Sequence, residues 1–164
     1  MHKNPIRTPE LATSTVLTLL LGAFVLPAAS ARAASEASTE QASPSTPKVE
    51  AETYLVEISA GSAYQAGATG SVKVSLTAKA GFHINDQYPY RFRASPPAEG
   101  VSYPKPVLER ADGQFEEKTA VFQLPFVASH AGQFSVGGVL NLSVCSPTSC
   151  IVQKAPLNVT VTVQ

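Results

Sequence analysis

The chain has no tryptophan, a single methionine and only two cysteines among its 164 residues. Charge is also scarce. Asp, Glu, Lys and Arg make up 15% of the chain, and 12 basic side chains balance 12 acidic ones. Without a basic surplus there is no electrostatic footprint for nucleic acid or for an anionic membrane surface. No glycine-rich nucleotide loop, no cluster of metal ligands and no Ser/His/Asp arrangement can be recognised. The expectation is therefore no cofactor and no resident metal. No window holds a sustained 3.6-residue apolar period, and 13 prolines are scattered along the chain, which argues against a helical fold.

What is present begins with the N-terminus. Lys3 and Arg7 precede an apolar run at residues 16–26. At about 11 residues the run is too short for the ~20 that span a membrane. Pro27 follows, and Ala31-Arg32-Ala33 supplies a small-x-small cleavage pattern, with Ala29-Ser30-Ala31 as a second choice. Residues 1–33 thus read as a secretory signal peptide. No cysteine lies near the cleavage site, so a lipid-modified terminus is not expected. Removing Lys3, Arg7, Arg32 and Glu10 takes 12 basic and 12 acidic residues to 9 and 11, a net charge of −2. The mature chain is expected to be periplasmic or secreted, without stable membrane insertion, and monomeric. Residues 34–48, rich in Ala, Ser, Thr, Glu and Pro, cannot fill a core and read as a disordered linker.

From residue 49 to 164 the text is that of strands. Tyr54, Val56 and Ile58 alternate with Thr53, Leu55 and Glu57, and Val72, Val74, Leu76 and Ala78 alternate with polar neighbours. Phe82-His83-Ile84-Asn85 and Tyr88-Pro89-Tyr90-Arg91-Phe92-Arg93 read as shorter strands, with Pro89 at an edge or a strand start. Pro96, Pro97, Gly100, Pro104 and Pro106 mark a long irregular crossing, and Ala111-Asp112-Gly113 a turn. Ala120, Phe122 and Leu124 alternate until Pro125, which is expected to interrupt. About seven short strands with turns between them point to an all-β, immunoglobulin-like β-sandwich.

Both cysteines fall in one stretch, Cys145-Ser146-Pro147-Thr148-Ser149-Cys150. The apolar residues Phe134, Val136, Val139, Leu140, Leu142 and Val144 lead into it, and Ile151, Val152, Leu157, Val159, Val161 and Val163 lead out. That is a hairpin with a cysteine at each rim of a four-residue loop. Residues opposite each other in a hairpin have Cα atoms ~4.5–5.5 Å apart, and a disulfide needs ~4.4–6.8 Å. The thiols can therefore join, or stand open together, with little backbone movement. Three readings stay open. A staple closing about six residues would contribute ~2 kcal/mol, against ~4.7 for a loop of about a hundred, so a sandwich with its own core gains little from it. A redox pair needs two thiols that are close in both oxidation states and reachable at a loop. A metal site would have to recruit imidazole from His83 or His130, because two thiolates do not close a zinc site.

Leu142-Ser143-Val144-Cys145-Ser146-Pro147-Thr148-Ser149-Cys150, followed by Pro156-Leu157-Asn158-Val159-Thr160-Val161, resembles the N-terminal periplasmic domain of the thiol:disulfide interchange protein DsbD. Leu76-Thr77-Ala78-Lys79-Ala80-Gly81-Phe82-His83-Ile84-Asn85 is similar to its Gly-aromatic strand. Ala98-Glu99-Gly100-Val101 and Phe122-Gln123-Leu124-Pro125-Phe126 match two further segments in order. The resemblance implies an immunoglobulin-like domain that exchanges a disulfide with thioredoxin-like exported proteins. It assigns the attacking thiol to Cys150 and its partner to Cys145. Two departures are visible. The turn has four residues between the cysteines where the best-known members have five. The region near residues 107–115 offers Glu109, Asp112 and Phe115 but not the family's compact acidic-aromatic cap. The chain also ends without the family's membrane and thioredoxin-like domains, so a separate electron donor is expected.

His83 is a supporting candidate, since an imidazolium beside a thiol raises its thiolate fraction. Tyr88, Tyr90 and Phe92 are expected to serve as packing rather than as a docking surface. Asn141-Leu142-Ser143 and Asn158-Val159-Thr160 match the glycosylation pattern but sit within strands, as chance matches do. The sequence thus points to an exported protein exchanging disulfides through Cys145 and Cys150. The alternative is a non-catalytic exported binding module whose disulfide only stiffens a hairpin, and a weaker third option is a copper-handling accessory that uses the thiols with His83.

Overall fold

A computed structural model of the chain describes residues 46–164. Residues 1–33, read as a signal peptide, and residues 34–45 of the stretch read as a linker lie outside the described residues. Strand β1 (Lys48–Glu50) begins at the last position of the stretch read as linker, and just before it Pro47 accepts a backbone bond from Ile58.

Among the described residues, eleven strands form two antiparallel sheets. The first is ordered β1, β2 (Tyr54–Ser59), β3 (Thr69–Ala78), β9 (Thr119–Ala128), β6 (Val101–Ser102), with β8 (Gly113–Phe115) also paired to β9. The second is ordered β11 (Cys150–Val163), β10 (Gly132–Cys145), β5 (Arg91–Ala94), β7 (Val107–Glu109), with β4 (His83–Ile84) also paired to β10. A 3-10 turn, Arg110–Asp112, links β7 to β8. The fold is an all-β sandwich.

The period-2 pattern is obeyed where the core is built. Val56, Val72, Val74 and Leu76 meet Phe122, Leu124 and Phe126 within the first sheet, and Phe92, Val136, Leu140, Leu142 and Val144 line the second; all are fully buried or nearly so. Cutting one of the leucines to alanine would cost ~2–5 kcal/mol, because the lost transfer energy and the cavity add. Val139 and Val152 fall out of phase: Val139 is only half-buried, and Val152 is 58% exposed. Gly137 and Gly138 let β10 lie close to both neighbours. A Cβ at Gly137 would stand 2.1 Å from the Leu157 carbonyl oxygen, and one at Gly138 2.2 Å from that of Arg93.

Three expectations about the strands change. Pro125 does not interrupt β9, which runs through it paired with Ser71 of β3. On the other flank, β8 pairs with residues 120–122 and β6 with residues 127–128. Pro125 falls in the gap between them, where a missing N–H costs no ladder bond. The crossing after β5 is less irregular than its prolines suggest, since it carries β6 and β7 between the sheets. Pro89 precedes a strand that starts only at Arg91.

Candidate redox site at the β10–β11 hairpin

β10 and β11 pair over their full lengths, from Gly132 opposite Val163 to Cys145 opposite Cys150. Their turn is closed by the Ser146 N–H donating to the Ser149 carbonyl at 2.8 Å. The Ser146 hydroxyl oxygen accepts from the N–H groups of Thr148 at 3.3 Å and Ser149 at 3.1 Å. This serine does for the turn what a backbone carbonyl otherwise would. Pro147 adds its fixed φ at a position where no N–H is needed.

Cys145 and Cys150 are joined by a disulfide with a Cα separation of 4.0 Å. That is closer than the sequence expectation. Ser146 and Ser149 bond to each other, so the next pair, Cys145 with Cys150, is a non-hydrogen-bonded one, the close pair of an antiparallel ladder. The two residues differ in exposure. Cys145 is 6% exposed, whereas Cys150 lies in the exposed class.

On the other flank of β10, β4 pairs Cys145 with His83 and Val144 with Ile84. The cysteine thus has its disulfide partner on one side and His83 on the other, all three on the outer face of the sheet, since directly opposed residues share a face. β4 is short, and three contacts hold it. Its Ile84 N–H donates to the Glu117 carbonyl at 2.8 Å, and the adjacent Asn85 N–H donates to the Ser143 carbonyl at 3.2 Å. The Lys118 ammonium donates to the Phe82 carbonyl.

A polar knot lies two residues before Cys145. Ser143 is fully buried. Its hydroxyl accepts from the Asn85 side-chain amide at 3.2 Å, and its carbonyl accepts from the Tyr90 hydroxyl. Tyr90 in turn accepts from the Asn85 N–H at 3.1 Å. Burial pushes the Tyr90 phenol up to about 12, against the smaller opposing pull of those backbone bonds. Its ring stacks near Tyr88 and Phe115, and Phe115 meets Phe122 edge-on. The Arg110 guanidinium lies 4.2 Å above the Phe115 ring. Tyr90 and Phe92 are therefore core, as packing residues, and neither is a docking surface.

A cleft of about 370 Å³ opens beside His83, lined also by Asp86, Arg110, Phe115, Glu116 and Glu117. Phe115 ends β8 and Glu116 and Glu117 follow it in the turn to β9, where the Glu116 carboxylate accepts from the Thr119 hydroxyl at 3.1 Å. The sequence reading stopped at Phe115 and did not single out Glu116 or Glu117. The other unanticipated residues are Asn85, Ser143 and Arg110. A tyrosine in an apolar strand was the available signal for the first two, since a buried hydroxyl needs partners.

His130 sits in the β9–β10 turn, beside Phe134. At ~3.3 Å per residue it is about 50 Å from Cys145 along the chain, so of the two candidate histidines only His83 accompanies the cysteines. Among the described residues no three His, Cys, Asp or Glu side chains are placed to hold a metal ion, and no helix is long and apolar enough to cross a membrane.

No family model matches the chain, and no curated protein matches it. Among solved structures, the N-terminal periplasmic domain of ScsB from Proteus mirabilis is similar, with a TM-score of 0.44 and 17% identity, over 70% of this chain and 50% of that one. The chain thus spans about half the length of that structure. At this identity and score the likeness assigns no residue a role, and the site rests on its own geometry.

Proposed function

We propose that the protein is an exported thiol:disulfide exchange protein that passes reducing equivalents between thioredoxin-like partners through Cys145 and Cys150. The observation that carries this reading is the unequal exposure of the pair: Cys150 is exposed at a hairpin tip and Cys145 is buried behind it. A bond that only stiffened the hairpin would have no need of one accessible sulfur. It also closes a loop so short that its contribution is only ~2 kcal/mol.

The step is written for reduction of the pair. A partner thiolate attacks Cys150 Sγ, the Cys145–Cys150 bond breaks, and a mixed disulfide forms between Cys150 and the partner. The electron pair leaves on Cys145 Sγ, which takes up a proton. The partner's second thiolate then attacks its own bridged sulfur and releases Cys150 as a thiol. The partner has lost two electrons and two protons, and this chain has gained them. Run backwards, Cys150 is the attacking thiol and Cys145 resolves the complex. His83, next to Cys145, is suited to stabilise the departing thiolate.

Removing the resolving thiol tests the reading. Cys145→Ala should accumulate reductant-sensitive covalent complexes with a thioredoxin-like protein, and Cys150→Ala should accumulate far fewer. If neither variant traps a partner, and the pair's reduction potential lies below about −300 mV, the disulfide is a staple in a non-catalytic binding module.

The same reading places the protein outside the cytosol, where disulfides persist. The intact mass of the exported protein should correspond to a start near Ala34. Recovery of a Met1 terminus from the membrane fraction would overturn that.

A further inference from the structure

Among the described residues, the edge of β11 is covered along only part of its length. Toward the C-terminus the Asn158 N–H donates to Thr46, and the Gln164 N–H donates to Tyr64. Both bonds point away from β10, so the even-numbered residues of β11 aim their backbone groups outward. The partner strand agrees: the carbonyls of Gly137 and Ser143, odd-numbered in β10, accept from Ser95 and Asn85 on the side away from β11. By the same alternation the N–H and C=O groups of Cys150, Val152 and Lys154 face outward. No described residue bonds to them. Pro156, next in the series, has no N–H to offer and closes this open stretch. Within it stands Val152, 58% exposed on the same face as Cys150.

We propose that the edge from Cys150 to Lys154 is where the redox partner docks, by pairing an extended segment that lies next to its reactive cysteine with β11 as one more short strand. The inference rests on the exchange reading above and names how that site selects its partner. An added strand lies ~4.8 Å from β11. A residue directly opposite Cys150 then has its Cα ~5.5 Å away, inside the ~4.4–6.8 Å range that a disulfide spans. A partner cysteine held beside that strand reaches Cys150 from the side opposite Cys145. Its thiolate approaches Cys150 Sγ from the side away from Cys145 Sγ, in line with the bond that must break. Main-chain bonds to Cys150, Val152 and Lys154 supply affinity without demanding a partner sequence, and Val152 supplies an apolar contact. A second copy of this chain could also pair along the edge. That arrangement would place Val152 opposite Val152 and Cys150 opposite Lys154, so neither copy would present a thiol to the other's disulfide.

The test compares Val152→Pro with Val152→Thr in the full mature chain. Proline removes an outward N–H and fills the edge with its ring, while every β10–β11 bond is left in place. With reduced thioredoxin as the probe, Val152→Pro should slow disulfide exchange by at least about tenfold, through one lost hydrogen bond and the steric block. Val152→Thr should stay within about threefold of wild type, and both variants should react with dithiothreitol as wild type does. Wild-type exchange with thioredoxin that Val152→Pro leaves intact would overturn the docking inference and leave the exchange reading standing. Wild-type protein that reacts no faster with thioredoxin than with dithiothreitol would overturn both. Hydrogen exchange keeps the inference testable if the proline variant does not fold. In the trapped complex of Cys145→Ala with thioredoxin, the amides of Val152 and Lys154 should become protected. Unchanged amides there, or protection that rises with protein concentration in the absence of thioredoxin, would defeat it, the latter by assigning the edge to a second copy.

Discussion

His83 pairs with Cys145 across the β4–β10 ladder, on the flank opposite Cys150. The relationship is made by main-chain register, not by a side-chain contact that could drift. It is fixed by Ile84 and Asn85, which tie β4 to Glu117 and Ser143. An imidazole is thereby held beside the sulfur that must leave when the disulfide is attacked. Asp86, Arg110, Glu116 and Glu117 line the same cleft as the histidine.

From that placement, His83→Gln should stabilise the thiolate of Cys145 less and leave the sandwich intact, because His83 is only half-buried. The reduction potential of the pair should move to more negative values by about 15–30 mV, a threefold to tenfold change in the exchange equilibrium. Equilibration against a glutathione buffer measures it. An unchanged potential, with normal stability, would reduce His83 to a strand residue with no part in the chemistry.

A disulfide that serves exchange must be dispensable to the fold. Its loop is short, and the ~2 kcal/mol lost on reduction is small against the ~5–15 kcal/mol typical of a domain. The core of β10 and β11 is also built by Leu140, Leu142, Val144, Ala155 and Leu157, all buried independently of the sulfurs. The double variant Cys145→Ala with Cys150→Ala should therefore keep the wild-type circular dichroism spectrum at 25 °C, and its denaturant midpoint should fall by the equivalent of about 2 kcal/mol. Global unfolding would mark the bond as a structural staple.

The sandwich was legible because its core strands follow a strict period of two. Val72, Val74, Leu76 and Ala78 read as a half-buried strand before any coordinates, and all four are buried. The hairpin was legible for the same reason, with a turn signal between two alternating runs. Elements set by neighbours far along the chain were not legible. β4 and β6 are two residues long, too short to carry a period, and exist only because β10 and β9 offer them an edge. Pro125 looked like a break because local sequence cannot show which flank of a strand lies open. In the site, the two sulfurs and His83 could be named, but the register that sets His83 opposite Cys145 could not. The run of Phe115 with Glu116 and Glu117 was visible in the text, and a window ending two residues later would have caught it. Arg110 stacked on Phe115 depends on a 3-10 turn between sheets, and no spacing rule announces it.

The last prediction concerns Tyr90, the buried hydroxyl behind the site. Its folded-state pKa, pushed up to about 12 by burial, lies above the ~10 of an unfolded tyrosine. The folded state therefore holds the phenolic proton more tightly than the unfolded chain does. By linkage, this contribution to stability is fully present below pH ~10 and is lost as pH rises from there toward about 12. Tyr90→Phe removes the titration and also removes the bond to the Ser143 carbonyl. That carbonyl keeps its bond from the Asn85 N–H, so the cost at neutral pH should be modest, ~1 kcal/mol. Denaturant unfolding at pH 7 and at pH 11 separates the two effects. Wild type should lose stability between these pH values, and Tyr90→Phe should start lower and lose less. The variant should also loosen Asn85 and the β4 strand beside it, so its exchange rate with thioredoxin should fall even at pH 7. Parallel pH profiles for the two proteins would show that Tyr90 is not the group whose ionisation opens this end of the sandwich.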